Sequence, residues 1–173
     1  MTDPYIPVLK EMYCFKKLSE NDIITIRKIC REETFSPGDI IFSEEGSGDR
    51  CFILLDGQVE IRQRYRLPEE ERISVCRPFQ IYAETALFDT YSGNGTALAE
   101  TSVRLLSICR NDFEKIAEKS PEIMFSVIRD VSDMIRKRSE GLLRQLQAGT
   151  RCLEEICLHL HKEAMLKNIQ LGT

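Results

Sequence analysis

Hydrophobic and polar positions along the chain follow two different periods, and the change between them divides it. Ser19 reads as a helix N-cap with Asp22 at the positive helix start, and Ile23, Ile26, Ile29 and Cys30 follow at helical spacing. This predicts a helix that ends near Glu33, before the turn Ser36-Pro37-Gly38-Asp39. From there to Arg110 the period falls to about two. Strands are predicted over 40–43, 51–55, 58–65, 72–77, 96–99 and 103–109, separated by Gly46-Ser47-Gly48-Asp49, Asp56-Gly57, Leu67-Pro68-Glu69 and Ser92-Gly93-Asn94-Gly95. Within 58–65, Val59, Ile61 and Tyr65 fall on one face and Glu60, Arg62 and Arg64 on the other. Short strands with closely spaced turns imply a sandwich or barrel.

Helical spacing returns at Asn111, which with Glu114 forms an N-cap pattern, and restarts at Ser120-Pro121. Ile128, Val131, Ile135, Leu142 and Leu146 then keep a near-heptad seam, interrupted by Arg138. Such a seam needs a cover. A second copy of the chain supplies one in a symmetric dimer through helix 121–148, and folding back onto the barrel is the other solution. Gly149-Thr150 predicts a helix end, and 151–168 a last amphipathic helix with Leu153, Ile156, Cys157, Leu160 and Ala164 on one stripe, followed by a frayed tail. The expected organisation is a helical lead-in over 1–34, a barrel over 35–110, closing and dimerisation helices over 111–148 and a C-terminal helix over 150–173.

Composition removes several function classes. With a net charge of −4, 42% hydrophobic and 30% charged residues, the chain is of ordinary globular make-up with no overall affinity for nucleic acid or an anionic membrane. The cluster Arg136-Lys137-Arg138 reads as the solvated side of a helix. Seven cysteines at irregular spacing, with no CxxC pair, read as small hydrophobes in a reducing, cytoplasmic setting; Cys14, Cys30, Cys51, Cys76, Cys109 and Cys157 all have apolar sequence neighbours. No apolar run approaches a membrane span, and the first residues lack a secretory leader pattern. Both histidines, His159 and His161, follow the strand region, so no Ser-His-Asp or Cys-His catalytic scheme is expected in the barrel. Cys157 and His161 are four apart on a helix, with no further ligands near in sequence, and no metal site is expected.

The run from Glu45 to Ile61, Glu-Gly-Ser-Gly-Asp-Arg-Cys-Phe-Ile-Leu-Leu-Asp-Gly-Gln-Val-Glu-Ile, resembles the signature of the cyclic-nucleotide-binding domain family. That family includes catabolite activator proteins and protein kinase A regulatory subunits. Phe35 to Phe42 and Asp112-Phe113 are similar to its lead-in and closing helices, so the resemblance covers roughly residues 8–145. It implies a mainly β fold with flanking helices: a β-roll (a double-stranded β-helix or jelly-roll barrel) followed by a long amphipathic helix.

In this family a cassette, here 81–100, holds the cyclic phosphate on helix-start amides and one arginine. A Gly-Glu pair opens it, and the glutamate accepts the ribose hydroxyl. The resemblance puts Glu84 at that position and Ala83 at the glycine, where it introduces a methyl. Thr85, Ala86, Gly93, Gly95, Thr96 and Ala97 fall on the rest of the ligand-binding cassette. The arginine is missing: no Lys or Arg occurs from Phe79 to Val103. One charge-assisted bond contributes about 1.5–3 kcal/mol, so its loss implies roughly 10- to 150-fold weaker binding. Backbone amides near Thr85 and in the 93–95 loop remain able to cradle an anion. The family positions that reach the base fall at Arg138 and Ser139. Arg138 is expected to face the pocket and restore charge, with an exposed helix position as the alternative.

The expected function is a non-catalytic regulatory or sensor module that couples a small anionic nucleotide pocket to a dimerising helix. It needs no cofactor beyond a cyclic nucleotide ligand. Its rivals are a degenerate domain used as a dimerisation or docking scaffold, and the effector part of a transcription regulator. The stretch after Gly149 has no room for a turn, recognition helix and wing, so direct DNA binding by this chain is not expected.

Overall fold

The computed structural model describes residues 3–89 and 95–171, without the side chains of 152, 154–156 and 158–171. It divides into two compact units, Met1–Val131 and Ser132–Thr173. In the first, helices α1 (Tyr5–Glu11) and α2 (Glu20–Arg27) precede eight strands: β1 (Cys30–Phe35), β2 (Ile40–Phe42), β3 (Arg50–Asp56), β4 (Val59–Gln63), β5 (Glu71–Cys76), β6 (Ile81–Tyr82), β7 (Thr96–Ala99) and β8 (Val103–Cys109). A short 3-10 helix spans Glu84–Leu87, and α3 (Arg110–Lys119) and α4 (Pro121–Leu171) follow the strands. The strands form two four-stranded antiparallel sheets, ordered β1-β8-β3-β6 and β2-β7-β4-β5. This is the expected β-roll.

Alternation along the central strands produces two cores. On β3, Cys51, Ile53 and Leu55 join Phe15, Ile23, Ile26, Leu106, Ile108 and Phe113 in a core between the first sheet and the helices. Phe52 and Leu54, of opposite parity, join Val59, Cys76, Ala97, Ala99, Val103 and Leu105 inside the roll. The turn at Asp56-Gly57 admits only glycine: Gly57 has φ +90°, and a Cβ there would lie 2.3 Å from the Ser102 carbonyl oxygen. Ser19 and Asp22 make a reciprocal capping box at the start of α2. Ile123, Val127 and Val131 of α4 pack into the outer core, so the helix begins docked on its own unit.

Several sequence expectations are corrected. The helix predicted to reach Glu33 stops at Arg27, and Cys30–Phe35 is a strand paired along its length with β8. Only Cys30 is buried along it, with Glu33 and Phe35 half-buried and the rest exposed, because the opposite strand and not a buried face defines it. The predicted cap at Asn111 is displaced: α3 begins at Arg110 with Cys109 at the cap and no side-chain bond. Glu60 is buried, since Arg62 and Arg72 fold over its carboxylate at 2.7 and 3.4 Å. Cys109 is half-buried and Cys157 exposed, unlike the four buried thiols at 14, 30, 51 and 76.

The helix does not end at Gly149-Thr150. It runs unbroken through Leu171, with the Thr150 hydroxyl bonded to the Leu146 carbonyl at 3.0 Å. In the second unit Ile135, Leu142 and Leu146 of the predicted seam are exposed, as is Leu153. The rest of the predicted C-terminal stripe, the Cys157–His161 pairing and residues 172–173 lie outside the described residues. Among the described residues, no helix is long and apolar enough to cross a membrane.

Candidate functional site

A cavity of about 310 Å³ opens at one end of the roll. That volume is near the lower end for small-molecule sites, about 300–1,000 Å³. Its walls come from β1 (Glu33), the β2 end and following loop (Ile41, Phe42, Ser43, Gly46, Ser47, Gly48, Asp49), β3 (Arg50, Phe52) and the cassette (Ala83, Thr85, Ala86). Phe42 and Phe52 stack with centroids 5.3 Å apart, giving the cavity a flat apolar wall.

Three of the expected cassette residues therefore line the cavity. Ala83 does so in the left-handed conformation, φ 53° and ψ 34°, as the residue before the 3-10 helix. An alanine pays strain there that a glycine would not, about 1–2 kcal/mol. Glu84 is buried, at 6% exposure, and is not among the lining residues. Its charge acts on the Cys14 and Cys51 thiols, which burial pushes well above the ordinary range and which Glu84 raises further.

Thr96 and Ala97 are buried on β7, where the Thr96 hydroxyl accepts from the Glu44 amide at 3.3 Å. Neither lines the cavity. A Cβ on Gly95 would meet the Arg62 carbonyl oxygen and Ile61 Cγ2, each at 2.9 Å, so glycine is needed there for close passage against β4. Gly93 lies outside the described residues. Arg138 and Ser139 are exposed positions of α4 in the second unit.

Two arginines that sequence reasoning passed over shape the site. Arg110, at the start of α3, donates from Nε to the Ala86 carbonyl at 2.7 Å and from Nη2 to that of Gly48 at 2.5 Å. It also donates to the Asp89 carbonyl, and its own amide bonds the Asp49 carbonyl at 2.8 Å. One guanidinium thus pins the glycine turn to the cassette. Arg50, by contrast, lines the cavity, with Nη1 3.4 Å from Glu33 Oε1. The Ser107 hydroxyl donates to the same Glu33 oxygen. The readable signal for Arg50 was its parity with Phe52 on β3; for Arg110 there was none, because its partners are backbone carbonyls.

The cassette also touches the helices. Phe88, directly after the 3-10 helix, meets Phe113 of α3 edge-to-face at 5.7 Å, and Leu87 is buried in the same outer core as Ile123 and Val127.

A family model described as "Cyclic nucleotide-binding domain" matches residues 32–120. A CRP-like cAMP-activated global transcriptional regulator of Mycobacterium tuberculosis is 24% identical over 135 residues, covering 78% of this chain and 60% of the regulator. The chain thus spans less than two thirds of that relative's length. Among solved structures, the N-terminal domain of a transcriptional regulator from Streptomyces coelicolor matches 75% of this chain and 93% of its own, at TM-score 0.68 and 28% identity. The regulatory subunit of a cAMP-independent protein kinase A from Trypanosoma brucei shares the fold at TM-score 0.64 and 19% identity, over 77% of this chain and 46% of its own. With its two-sheet roll, its cassette and a family match over half its length, the chain belongs to the cyclic nucleotide-binding domain family.

Proposed function

We propose that this chain is a non-catalytic regulatory module in which a cyclic nucleotide in the roll cavity controls α4, and that α4 pairs with a second copy of the chain. The observation that carries the coupling is the packing of the cassette on the helices. Ala86 lines the cavity, while its neighbours Leu87 and Phe88 pack in the core that holds Phe113, Ile123 and Val127. A ligand that shifts the cassette therefore changes the surface on which α4 begins, and its differential affinity for the two packings sets the size of the response. Absence of any histidine between residues 30 and 109 supports a non-catalytic role. Exposure of Ile135, Leu142 and Leu146, seven and four residues apart, supports pairing through α4.

Thermal melting of the purified chain with millimolar cAMP or cGMP tests the ligand. Binding a hundredfold above the dissociation constant adds about 2.7 kcal/mol and a clear rise in Tm. No rise with either nucleotide overturns this reading in favour of a second one. That alternative, a dimerisation or docking scaffold without a nucleotide, draws support from the absence of Lys and Arg between Phe79 and Val103. Sedimentation of Leu142→Glu/Leu146→Glu beside wild type tests the pairing, with a dimer expected to become a monomer. A wild-type monomer would remove it.

A further inference from the structure

We propose that Arg50, carried by a barrel strand and not by the cassette, is the cation that receives the ligand's anionic group, and that Glu33 is its internal competitor. The inference rests on the cyclic nucleotide reading above and names the group that would make it work in a cassette without arginine. Only Glu33, Asp49 and Arg50 among the described lining residues carry charge, so Arg50 is the one cation on the wall. The other nearby guanidinium, that of Arg110, is committed to three carbonyls and holds the rim. Asp49 Oδ1 accepts from the Ser47 hydroxyl at 2.8 Å, within its own turn.

Arg50 is held loosely. Its contact with Glu33 is at the long limit of a hydrogen bond, 3.4 Å, and its side chain is 42% exposed. Glu33 does not depend on Arg50 for a partner, because the Ser107 hydroxyl also donates to it. When an anion arrives, the guanidinium can leave Glu33 without orphaning a carboxylate. Arg50 shares its strand face with Phe52, whose ring stacks on Phe42. Charge and flat apolar wall are therefore adjacent, the combination suited to an anion attached to an aromatic base. Glu33 supplies the opposing force: its carboxylate competes with the anion for Arg50, which makes the pocket weaker than its shape allows.

Isothermal titration of the whole chain with cAMP and cGMP, for wild type, Arg50→Gln, Arg50→Lys, Glu33→Gln and the Glu33→Gln/Arg50→Gln double variant, tests both halves. Arg50→Gln should weaken binding by roughly tenfold or more and flatten its dependence on salt. Arg50→Lys, which keeps the charge and loses the fork, should recover part of the affinity. Glu33→Gln should tighten binding by about two- to fivefold, and this gain should vanish when Arg50 is also Gln. Circular dichroism and Tm establish that each variant is folded, and Arg50→Lys with Glu33→Gln carry the test if Arg50→Gln is not. Nucleotide binding that is unchanged in Arg50→Gln, or a Glu33→Gln gain that survives without Arg50, overturns the inference and leaves the nucleotide reading intact. No binding by wild type or by Glu33→Gln overturns that reading and the inference with it.

Discussion

Along β3, Cys51, Ile53 and Leu55 turn towards the helices while Arg50, Phe52 and Leu54 turn into the roll, and the two sides are filled differently. The helix side is closed by large apolar groups, Phe15, Ile23, Ile26, Leu106, Ile108 and Phe113, all buried. The inner side mixes large groups, Phe52, Leu54 and Leu105, with smaller ones, Ala97, Ala99, Val59 and Val103, and ends in the polar group Glu33, Arg50 and Ser107. β8 repeats the division, with Leu106 and Ile108 outward and Ser107 inward between them. One strand layer thus separates a side that secures the fold from a side left open enough to receive a ligand.

The sharpest way to break this comparison is to cut equally deep on each side. Phe113→Ala should cost about 3–5 kcal/mol in urea denaturation, because it removes a fully buried ring and leaves a cavity. Ser107→Ala, on the inner side at the same depth, should cost about 1 kcal/mol, one hydrogen bond to Glu33. Equal costs would mean that the inner side carries as much of the stability as the outer. Between these extremes lies the rim: Arg110→Ala should cost about 2 kcal/mol, since its half-buried guanidinium serves three carbonyls. Hydrogen exchange should speed up in the turn at Gly46–Asp49 and in the 3-10 helix together, and Arg110→Lys should not restore protection, because an ammonium lacks the fork.

The outer side was the more legible of the two in the sequence. Period-two runs located β2, β3, β4, β5, β7 and β8, and Ile23, Ile26 and the turn at Gly46–Asp49 were where the pattern put them. β1 was missed because Cys-Arg-Glu-Glu-Thr-Phe has one buried residue and is a strand only by its pairing with β8. The break at Gly149 was wrong because a glycine in an exposed helix costs only about 1 kcal/mol, too little to end a long helix. At the site, Ala83, Thr85 and Ala86 of the cassette line the cavity, while Glu84, Thr96 and Ala97 do not. Arg50 and Glu33 did not stand out, because a charged residue at the end of a strand reads as solvated until the opposite wall is known.

Ala83 tests whether the inner side tolerates strain for the sake of its shape. Replacement by glycine removes the cost of a left-handed alanine and should raise stability by about 1 kcal/mol, despite the added freedom of the unfolded chain. It also removes a methyl from the cavity wall. A loss of stability in Ala83→Gly would show that the methyl's packing against the inner core outweighs its backbone strain.

The smallest effect is kinetic and compares the two sides through their own thiols. Burial raises all four buried cysteines: Cys30 is pushed up to about 12 and Cys76 to about 11, and Cys14 and Cys51 are raised as well. A raised pKa leaves less thiolate at a given pH, so at pH 8 a thiol of pKa about 11 is ionised to roughly one part in a thousand. Iodoacetamide followed by mass spectrometry should therefore mark half-buried Cys109 and exposed Cys157 first. Among the buried four, Cys76 should react next, since it lies on the side of the roll that carries the cavity and burial has raised it least. Cys51, which faces the helices across the same layer, should wait for opening of the outer core. If Cys51 and Cys76 were alkylated at one rate, both would be exposed by the same global unfolding, and the roll interior would be no more open than the core that holds the helices.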